Sequence, residues 1–211
     1  KAFFVCEQFR LSPGWRAITE SGNTDIPVWM PTNGPKRFKG PDFPELAGEQ
    51  IDMYIAAEKL YADGEWGKAA AQYKRFLNAY PDSGLYPAAM ERLYSIGVAF
   101  LQGQKRTFVK ILKLPAFDEG VELMWDIADR AGHSPIALRA LTTLAENQEQ
   151  RKKYFEAYET WSEIKSRWPT GKTGRQAVRR MAEELHASYD GPQYDAGALL
   201  SARSYYEDFI G

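Results

Sequence analysis

One stretch of the sequence contains the residue types of a phosphate-binding loop. Thr170-Gly171-Lys172-Thr173-Gly174 includes a Gly-Lys-Thr triplet, in which backbone amides, a lysine and a hydroxyl could hold a nucleotide phosphate. Such a loop also needs a glycine five residues before the glycine of the triplet, and Ser166 occupies that position. No strand pattern precedes the stretch, and a helix is expected to begin there. We therefore predict a helix cap and no nucleotide site.

The remaining residues that could do chemistry are scattered. His133 and His186 are the only histidines, and no cysteine or second histidine stands at the spacing of a metal site. The acidic neighbours Asp118-Glu119 and Glu183-Glu184 point to different sides of a helix, so we expect them at helix N-termini or on solvated faces. We expect no pocket that gathers two or more titratable groups. The sequence thus predicts a non-catalytic protein with no metal and no cofactor.

The amino-acid composition excludes several classes of partner and of site. Hydrophobic residues make up 44% of the chain and aromatic residues 14%, which suffices for a buried core. The 27 basic and 28 acidic residues give a formal net charge of −1, so no excess of positive charge attracts nucleic acid. The single cysteine excludes an internal disulfide and a cysteine-based zinc site. No apolar run reaches the roughly 18–20 residues that span a membrane.

The elements that must position any site are helical hairpins. Between Trp66 and Tyr80, apolar residues recur at spacings of three and four, which indicates one buried helix face that ends before Pro81. The pattern returns 88 residues later, since 161 − 73 and 169 − 81 both give 88. The matching residues are Trp66/Tyr154, Ala69/Ala157, Tyr73/Trp161, Phe76/Ile164, Tyr80/Trp168 and Pro81/Pro169.

Two weaker copies complete a set of four hairpins. They place Gly120, Met124 and Ile127, and then Ala202, Tyr206 and Phe209, on the same face. A hairpin cannot bury such a face alone, so we predict a mostly α fold: a tetratricopeptide-like helical-repeat superhelix, right-handed, with a continuous core. In the tetratricopeptide unit a small residue stands at position 20 and a proline at position 32. Counting from Gln50 puts Ala69 and Pro81 there, and counting from Leu138 puts Ala157 and Pro169 there.

We expect the chain to consist of two parts. Residues 1–41 form a small β-rich N-terminal segment and linker, because apolar residues alternate between turn signals and a stretch rich in Pro, Gly and Lys follows. Residues 42–211 form the repeat domain, whose first helix is predicted from about Phe43 to Ala62. Further first helices are predicted to begin at Ser83, at Ser134-Pro135 and near Thr173, and a last helix near Asp195.

The second repeat departs from the pattern. Gly97, the expected small residue at position 8, lies 16 residues past Pro81 instead of roughly ten, which predicts a lengthened first helix. Residues 104–117 are also inserted between its two helices. The insertion carries four cations among apolar residues: Lys105, Arg106, Lys110 and Lys113. Either the cations contact anionic lipid or a partner, or the apolar residues pack on the repeat while the cationic heads reach solvent. We favour packing.

Several of these features resemble one family. A lengthened first helix, the aromatic-Pro-x-Ser junction at residues 80–83 and the Tyr-x-x-Phe/Ile face together resemble the outer-membrane assembly lipoproteins YfiO/BamD. The chain is most similar to members from planctomycete-type bacteria, through Leu-Pro-Ala-x-Asp-Glu-Gly at residues 114–120 and Gly-Pro-x-Tyr-Asp at residues 191–195. The resemblance spans roughly residues 44–211. It implies a periplasmic, outer-membrane-associated scaffold that helps β-barrel proteins insert.

The lipid-carrying cysteine of that family has no clear counterpart. Cys6 follows Phe3-Phe4-Val5, whereas a lipobox needs a small residue directly before the cysteine. We expect Cys6 to be a thiol in a strand core. Membrane contact is then expected only through a lipid anchor in sequence outside this chain.

The expected partner-binding surface is the inner face of the first helices, at positions 2, 5, 9 and 12 of the unit. These positions carry aromatic rings beside single charges, which suits an extended or helical peptide. They are Ile51, Tyr54, Glu58, Tyr61, Glu91, Tyr94, Val98, Arg139, Thr142, Glu146 and Glu149. We predict protein partners: outer-membrane assembly components or substrate peptides. The alternative is a generic tetratricopeptide adaptor or cell-envelope coordinator with unrelated partners. The oligomeric state is left open.

Overall fold

The chain divides into two compact units, Lys1–Ala47 and Gly48–Gly211. The computed structural model describes residues 15–18, 28–31, 48–103, 105–109, 112–189, 191 and 196–210, with the strands described by their backbone. In the first unit, β1 (Trp15–Ile18) pairs antiparallel with β2 (Val28–Pro31). The predicted linker after residue 31, the predicted helix start at residues 42–47 and Cys6 lie outside the described residues.

The second unit is a run of helices in which each packs against the next. The described residues form α1 (Gly48–Ala62), α2 (Trp66–Ala79), α3 (Tyr86–Leu101), α4 (Phe117–Ala131), α5 (Pro135–Gln150), α6 (Tyr154–Arg167), α7 (Gly171–Ala187) and α8 (Gly197–Ile210). The pairs α1–α2, α3–α4, α5–α6 and α7–α8 are consecutive helices that pack against each other. The helical-repeat arrangement predicted from the sequence is therefore present.

Local signals set most helix ends. Gly64 adopts the left-handed conformation, with φ of 72°, in the turn between α1 and α2. Ser134 in extended conformation precedes Pro135 at the first position of α5, as predicted. Thr170 precedes α7, which begins at Gly171 rather than near Thr173. The described part of α8 begins at Gly197, and the predicted start near Asp195 lies outside the described residues.

The prediction of a lengthened helix in the second repeat is wrong. Helix α3 has 16 residues, the same number as α5. It begins at Tyr86 and not at Ser83, so the additional residues lie in the connection before it. The Leu85 amide donates to the Ser83 hydroxyl at 3.2 Å, and the Tyr86 amide donates to the Ser83 carbonyl at 2.9 Å. These bonds order a longer turn, and the feature cannot support the family resemblance.

The inserted segment forms a β-hairpin. Its strands β3 (Lys105–Val109) and β4 (Leu112–Pro115) pair antiparallel, with an irregularity between Thr107 and Val109. Phe117 belongs to α4 rather than to the insertion. Helices α3 and α4 still pack directly, because a Cβ at Gly120 would lie only 3.0 Å from the Leu101 amide nitrogen. The crossing therefore needs glycine.

The core lies between the stacked hairpins. Ala69 and Ala157 are both fully buried, as expected for residues at tight helix crossings, and Tyr73 and Trp161 are buried beside them. The core forms two clusters rather than one continuous body, and Trp125 of α4 packs against both. The prediction for the last helix is only partly correct, because Ala202 is buried whereas Phe209 is 41% exposed.

Candidate protein-binding face

The first helices of successive hairpins are joined by ionic pairs between their side chains. We call α1, α3, α5 and α7 the first-helix row, and α2, α4, α6 and α8 the second-helix row. Along the first-helix row, each helix presents an arginine to a glutamate of the preceding one. The pairs, here called the first, middle and last rungs, are Glu58–Arg92, Glu91–Arg139 and Glu149–Arg180.

The first rung is largely enclosed, with Arg92 30% and Glu58 18% exposed. Arg92 donates from Nε and Nη2 to the two oxygens of Glu58, both at 2.9 Å, and the Tyr73 hydroxyl donates to Glu58 Oε1 at 2.7 Å. Burial, followed by the charge of Glu58, raises the pKa of Tyr54 and of Tyr73 above its ordinary value. Burial would lower the pKa of Arg92, but its hydrogen bonds to Glu58 raise it overall. Tyr54 and Tyr73 therefore stay neutral and Arg92 stays charged at neutral pH.

The middle rung is more open to solvent. Arg139 forms an ion pair with Glu91 while the two side chains stay 44% and 37% exposed. The guanidinium of Arg139 lies 4.2 Å from the centroid of the Tyr94 ring, and the Tyr94 hydroxyl is 2.9 Å from Thr143 Oγ1. Exposed ion pairs contribute little to stability. A cation stacked on an aromatic ring at the surface is therefore available to a ligand at modest cost to the fold.

The last rung contains an excess of carboxylates. Trp161 Nε1 donates to Glu149 Oε1 at 2.6 Å, and Arg180 lies 3.5 Å from Glu149 and 3.3 Å from Glu183. Glu184 is only 5% exposed, so its predicted place on a solvated face is wrong. Burial, then the charge and the hydrogen bond of Glu149, raise the pKa of Glu184 to about 7.

The structure brings seven of the eleven predicted inner-face residues together in the rungs. Those seven are Tyr54, Glu58, Tyr61, Glu91, Tyr94, Arg139 and Glu149. Of the other four, Ile51 and Glu146 are exposed, and Val98 and Thr142 are half-buried. The predicted face is thus a set of side chains that hold one another, with exposed residues beside them.

Arg92 and Arg180 complete the rungs but were not predicted. They occupy equivalent positions, since 180 − 92 is 88, and each lies near an aromatic ring: Tyr61 at 4.7 Å and Trp161 at 5.9 Å. The repeat spacing could have revealed them. A charged residue that recurs at the repeat distance, next to a core position, indicates a shared contact.

The second-helix row is bridged differently. Lys74 of α2 donates to Glu122 of α4 at 3.1 Å, and Arg167 of α6 donates to Asp129 of α4 at 2.8 Å. Between α6 and α8 the bridge is a hydrogen bond of 3.0 Å between the hydroxyls of Tyr158 and Tyr205. That bond, then burial, raises the pKa of Tyr158 to about 12.

A shallow cleft of about 400 Å³ opens beside that tyrosine pair. It is lined by Lys165, Arg175, Val178, Tyr205, Asp208 and Phe209. The expectation that no pocket gathers two or more titratable groups is therefore wrong. Lys165 already donates to the Pro169 carbonyl at 2.8 Å, and Arg175 and Asp208 are exposed. The cleft brings opposite charges to an open aromatic surface.

The structure shows where the other residues considered for chemistry lie. The Gly-Lys-Thr stretch forms the first turn of α7, where a Cβ at Gly174 would lie 2.5 Å from the Pro169 carbonyl oxygen. The helix-cap interpretation is thus confirmed in position. His133 and His186 are exposed and contact the rings of Trp168 and Tyr206 edge-on. Among the described residues, no group of three or more acidic, histidine or cysteine side chains could hold a metal ion.

The predicted cationic contact falls on the hairpin. Lys105, Arg106 and Lys113 lie in its strands, whose side chains lie outside what the structure describes, and Lys110 lies outside the described residues. Both interpretations of these cations stay predictions. In the part of the chain that the structure describes, no helix is both long and apolar enough to cross a bilayer.

No protein-family model matches the chain, and no curated protein matches it.

Proposed function

We propose that the chain is a non-catalytic tetratricopeptide-like scaffold, with a small β-rich N-terminal segment, that binds a segment of another protein across its first-helix row. The observation that supports this proposal most strongly is the repeated rung, in which an arginine lies near an aromatic ring and pairs with a glutamate of the preceding helix. Rings and paired charges at regular spacing suit a bound peptide, which needs apolar anchors and a few orienting hydrogen bonds.

The middle rung is the proposed centre of the site. Of the three rung pairs, Arg139 and Glu91 have the most exposed side chains. A guanidinium carries five N–H donors, and Glu91 accepts from one of the two at Nη2. Peptide carbonyls or carboxylates can accept from the others while apolar side chains contact Ile51, which is 37% exposed on α1.

A charge reversal with a matched control tests the face. Peptides selected from a random displayed library on the parent protein are measured against Arg139→Glu, at the proposed centre of the site on α5, and against Arg75→Glu, exposed on α2 in the second-helix row. We expect at least about tenfold weaker binding to Arg139→Glu, about 1.4 kcal/mol, because the peptide acceptors lose their donor, and unchanged binding to Arg75→Glu. Equal binding to both variants would place the peptide elsewhere.

For the cellular role, we propose a periplasmic scaffold, similar to BamD, in the assembly of outer-membrane β-barrel proteins. The support is the resemblance of residues 114–120 and 191–195 to that family. Part of the first motif has a packing role here, since Gly120 permits the close crossing of α3 and α4. Residues 192–195 of the second motif lie outside the described residues. A lipid anchor outside this chain would supply the membrane contact.

Recovery of partners from envelope extract tests this role. With the parent chain as bait and the Arg139→Glu variant as the matched control, we expect a β-barrel insertase component to be recovered by the parent and depleted with the variant. Its reproducible absence would favour the alternative, a generic tetratricopeptide adaptor or cell-envelope coordinator with unrelated partners.

A further inference from the structure

The third and seventh helices differ at one buried position. A shift of 88 residues places Arg92 on Arg180, Leu93 on Met181 and Ile96 on Glu184. Ile96 is 1% exposed and Glu184 is 5% exposed, so a carboxyl group occupies the place that an isoleucine side chain fills in the earlier repeat. A buried carboxylate needs a partner or a proton, because burial disfavours its charge.

The charged groups around Glu184 come from α5 and from α7 itself. From α5, Glu149 lies within hydrogen-bonding reach of it. From α7, the charge of Glu183 disfavours ionisation of Glu184 and that of Arg180 favours it, but Arg180 is already paired with Glu149 and Glu183, and Arg179 pairs with Glu183 at 3.4 Å. From α6 comes the Trp161 indole, which donates to Glu149, and from α8 comes Tyr206, which lies beside Glu183. The Oε2 atom of Glu184 is buried without a hydrogen-bond partner in the described structure.

We propose that Glu149 and Glu184 share one proton in the folded chain, and that loss of this proton loosens the contact between α5 and α7. With the proton, Glu184 donates to a Glu149 oxygen while the other contacts of Glu149, to Trp161 and Arg180, stay in place. Without it, two carboxylates repel each other across a water-poor contact. The joint between the third and fourth hairpins is then a proton-controlled element.

The sign of the pH effect follows from the raised pKa. The carboxyl of Glu184 titrates near 7 in the folded chain and near 4.5 when exposed. The stabilisation is therefore complete below the lower value and is lost as pH rises through the higher one. Between the two values, the unfolding equilibrium constant rises by up to about tenfold per pH unit through this group.

The Trp161 indole reports directly on the pair. Its N–H proton resonance, assigned by its absence in Trp161→Phe, is followed by NMR between pH 5.5 and 8.5. We expect a shift with a midpoint near pH 7 in the parent chain. Glu184→Gln, which keeps the shape, and Glu184→Ile, which restores the residue of the earlier repeat, should both abolish that midpoint. Glu183→Gln, the matched neighbour, should keep it.

Urea unfolding over the same pH range gives the second measurement. The parent should lose stability as pH rises relative to Glu184→Ile, which should fold and show no such loss. Three results would overturn the proposal: an indole resonance that does not titrate in the parent, a midpoint that persists in Glu184→Gln, or a midpoint that disappears in His186→Asn instead.

Discussion

Tyr73 and Trp161 occupy equivalent positions 88 residues apart, and each donates a hydrogen bond to a glutamate of the first helix in its own hairpin. The acceptors are not equivalent. Glu58 matches the exposed Glu146 in the repeat spacing, whereas Glu149 matches Tyr61. In each hairpin a glutamate accepts the hydrogen bond of the buried ring, but the two glutamates stand one helical turn apart in the repeat. This freedom lets the core ring change from tyrosine to tryptophan without an orphaned donor.

The Tyr73 hydroxyl is a test of the first rung. We expect Tyr73→Phe to lower the free energy of unfolding by about 1–2 kcal/mol, because a bond to a half-buried charged group is lost while the ring stays. Chemical denaturation measures it. Tyr154→Phe, at the half-buried start of α6, is the control and should change stability by less than about 0.5 kcal/mol. Equal effects would show that Tyr73 does not hold Glu58.

The Trp161 side chain tests the repeat register. Trp161→Ala should cost about 3–5 kcal/mol of unfolding free energy, because it removes a large buried ring from the second core cluster. Phe155→Ala, six residues earlier in α6 and 60% exposed, should be close to neutral. A loss below about 1 kcal/mol for Trp161→Ala would contradict its core position.

Substitutions of the small residues at the helix crossings test how closely the helices approach each other. Ala157→Leu, and Ala69→Leu in the equivalent place, should each cost at least about 1–3 kcal/mol, because no space exists for three more carbons. Ala71→Leu is the control, because it makes the same substitution in the same helix as Ala69→Leu but on the exposed side of α2. A thermal melt in which all three variants are alike would indicate that the crossings are loose.

The hairpin cations distinguish the two interpretations of the insertion. Because we favour packing, we expect replacement of Lys105, Arg106, Lys110 and Lys113 by serine to leave binding to phosphatidylglycerol vesicles unchanged. Co-sedimentation measures it, with neutral phosphatidylcholine vesicles as the control. Weaker binding by the variant to the anionic vesicles alone would support the lipid contact instead.

The periodic part of the fold was predictable from the sequence. Ala69, Tyr73 and Phe76 recur with a constant shift as Ala157, Trp161 and Ile164, and burial of one helix face requires such spacing. Pro81 and Ser134-Pro135 carry backbone constraints that act locally, so the helix ends near them were also accessible.

The remaining features depend on contacts between distant residues. The spacing between Pro81 and Gly97 does not distinguish helix from turn, so the sequence pattern places the turn residues in α3. Cations among apolar residues at residues 105–115 are compatible with either a strand or a helix, so their pattern does not predict the hairpin. Glu184 follows another glutamate on an amphipathic helix, and only comparison with Ile96 reveals its burial.

The β-hairpin separates α3 from α4 in sequence while the two helices remain packed. Their association therefore depends on complementary surfaces, such as the contact of Gly120 with Leu101, and not on a short covalent link. A chain opened within the hairpin would give two fragments that recombine. The same site would accept a reporter or a second binding module without rearrangement of the array.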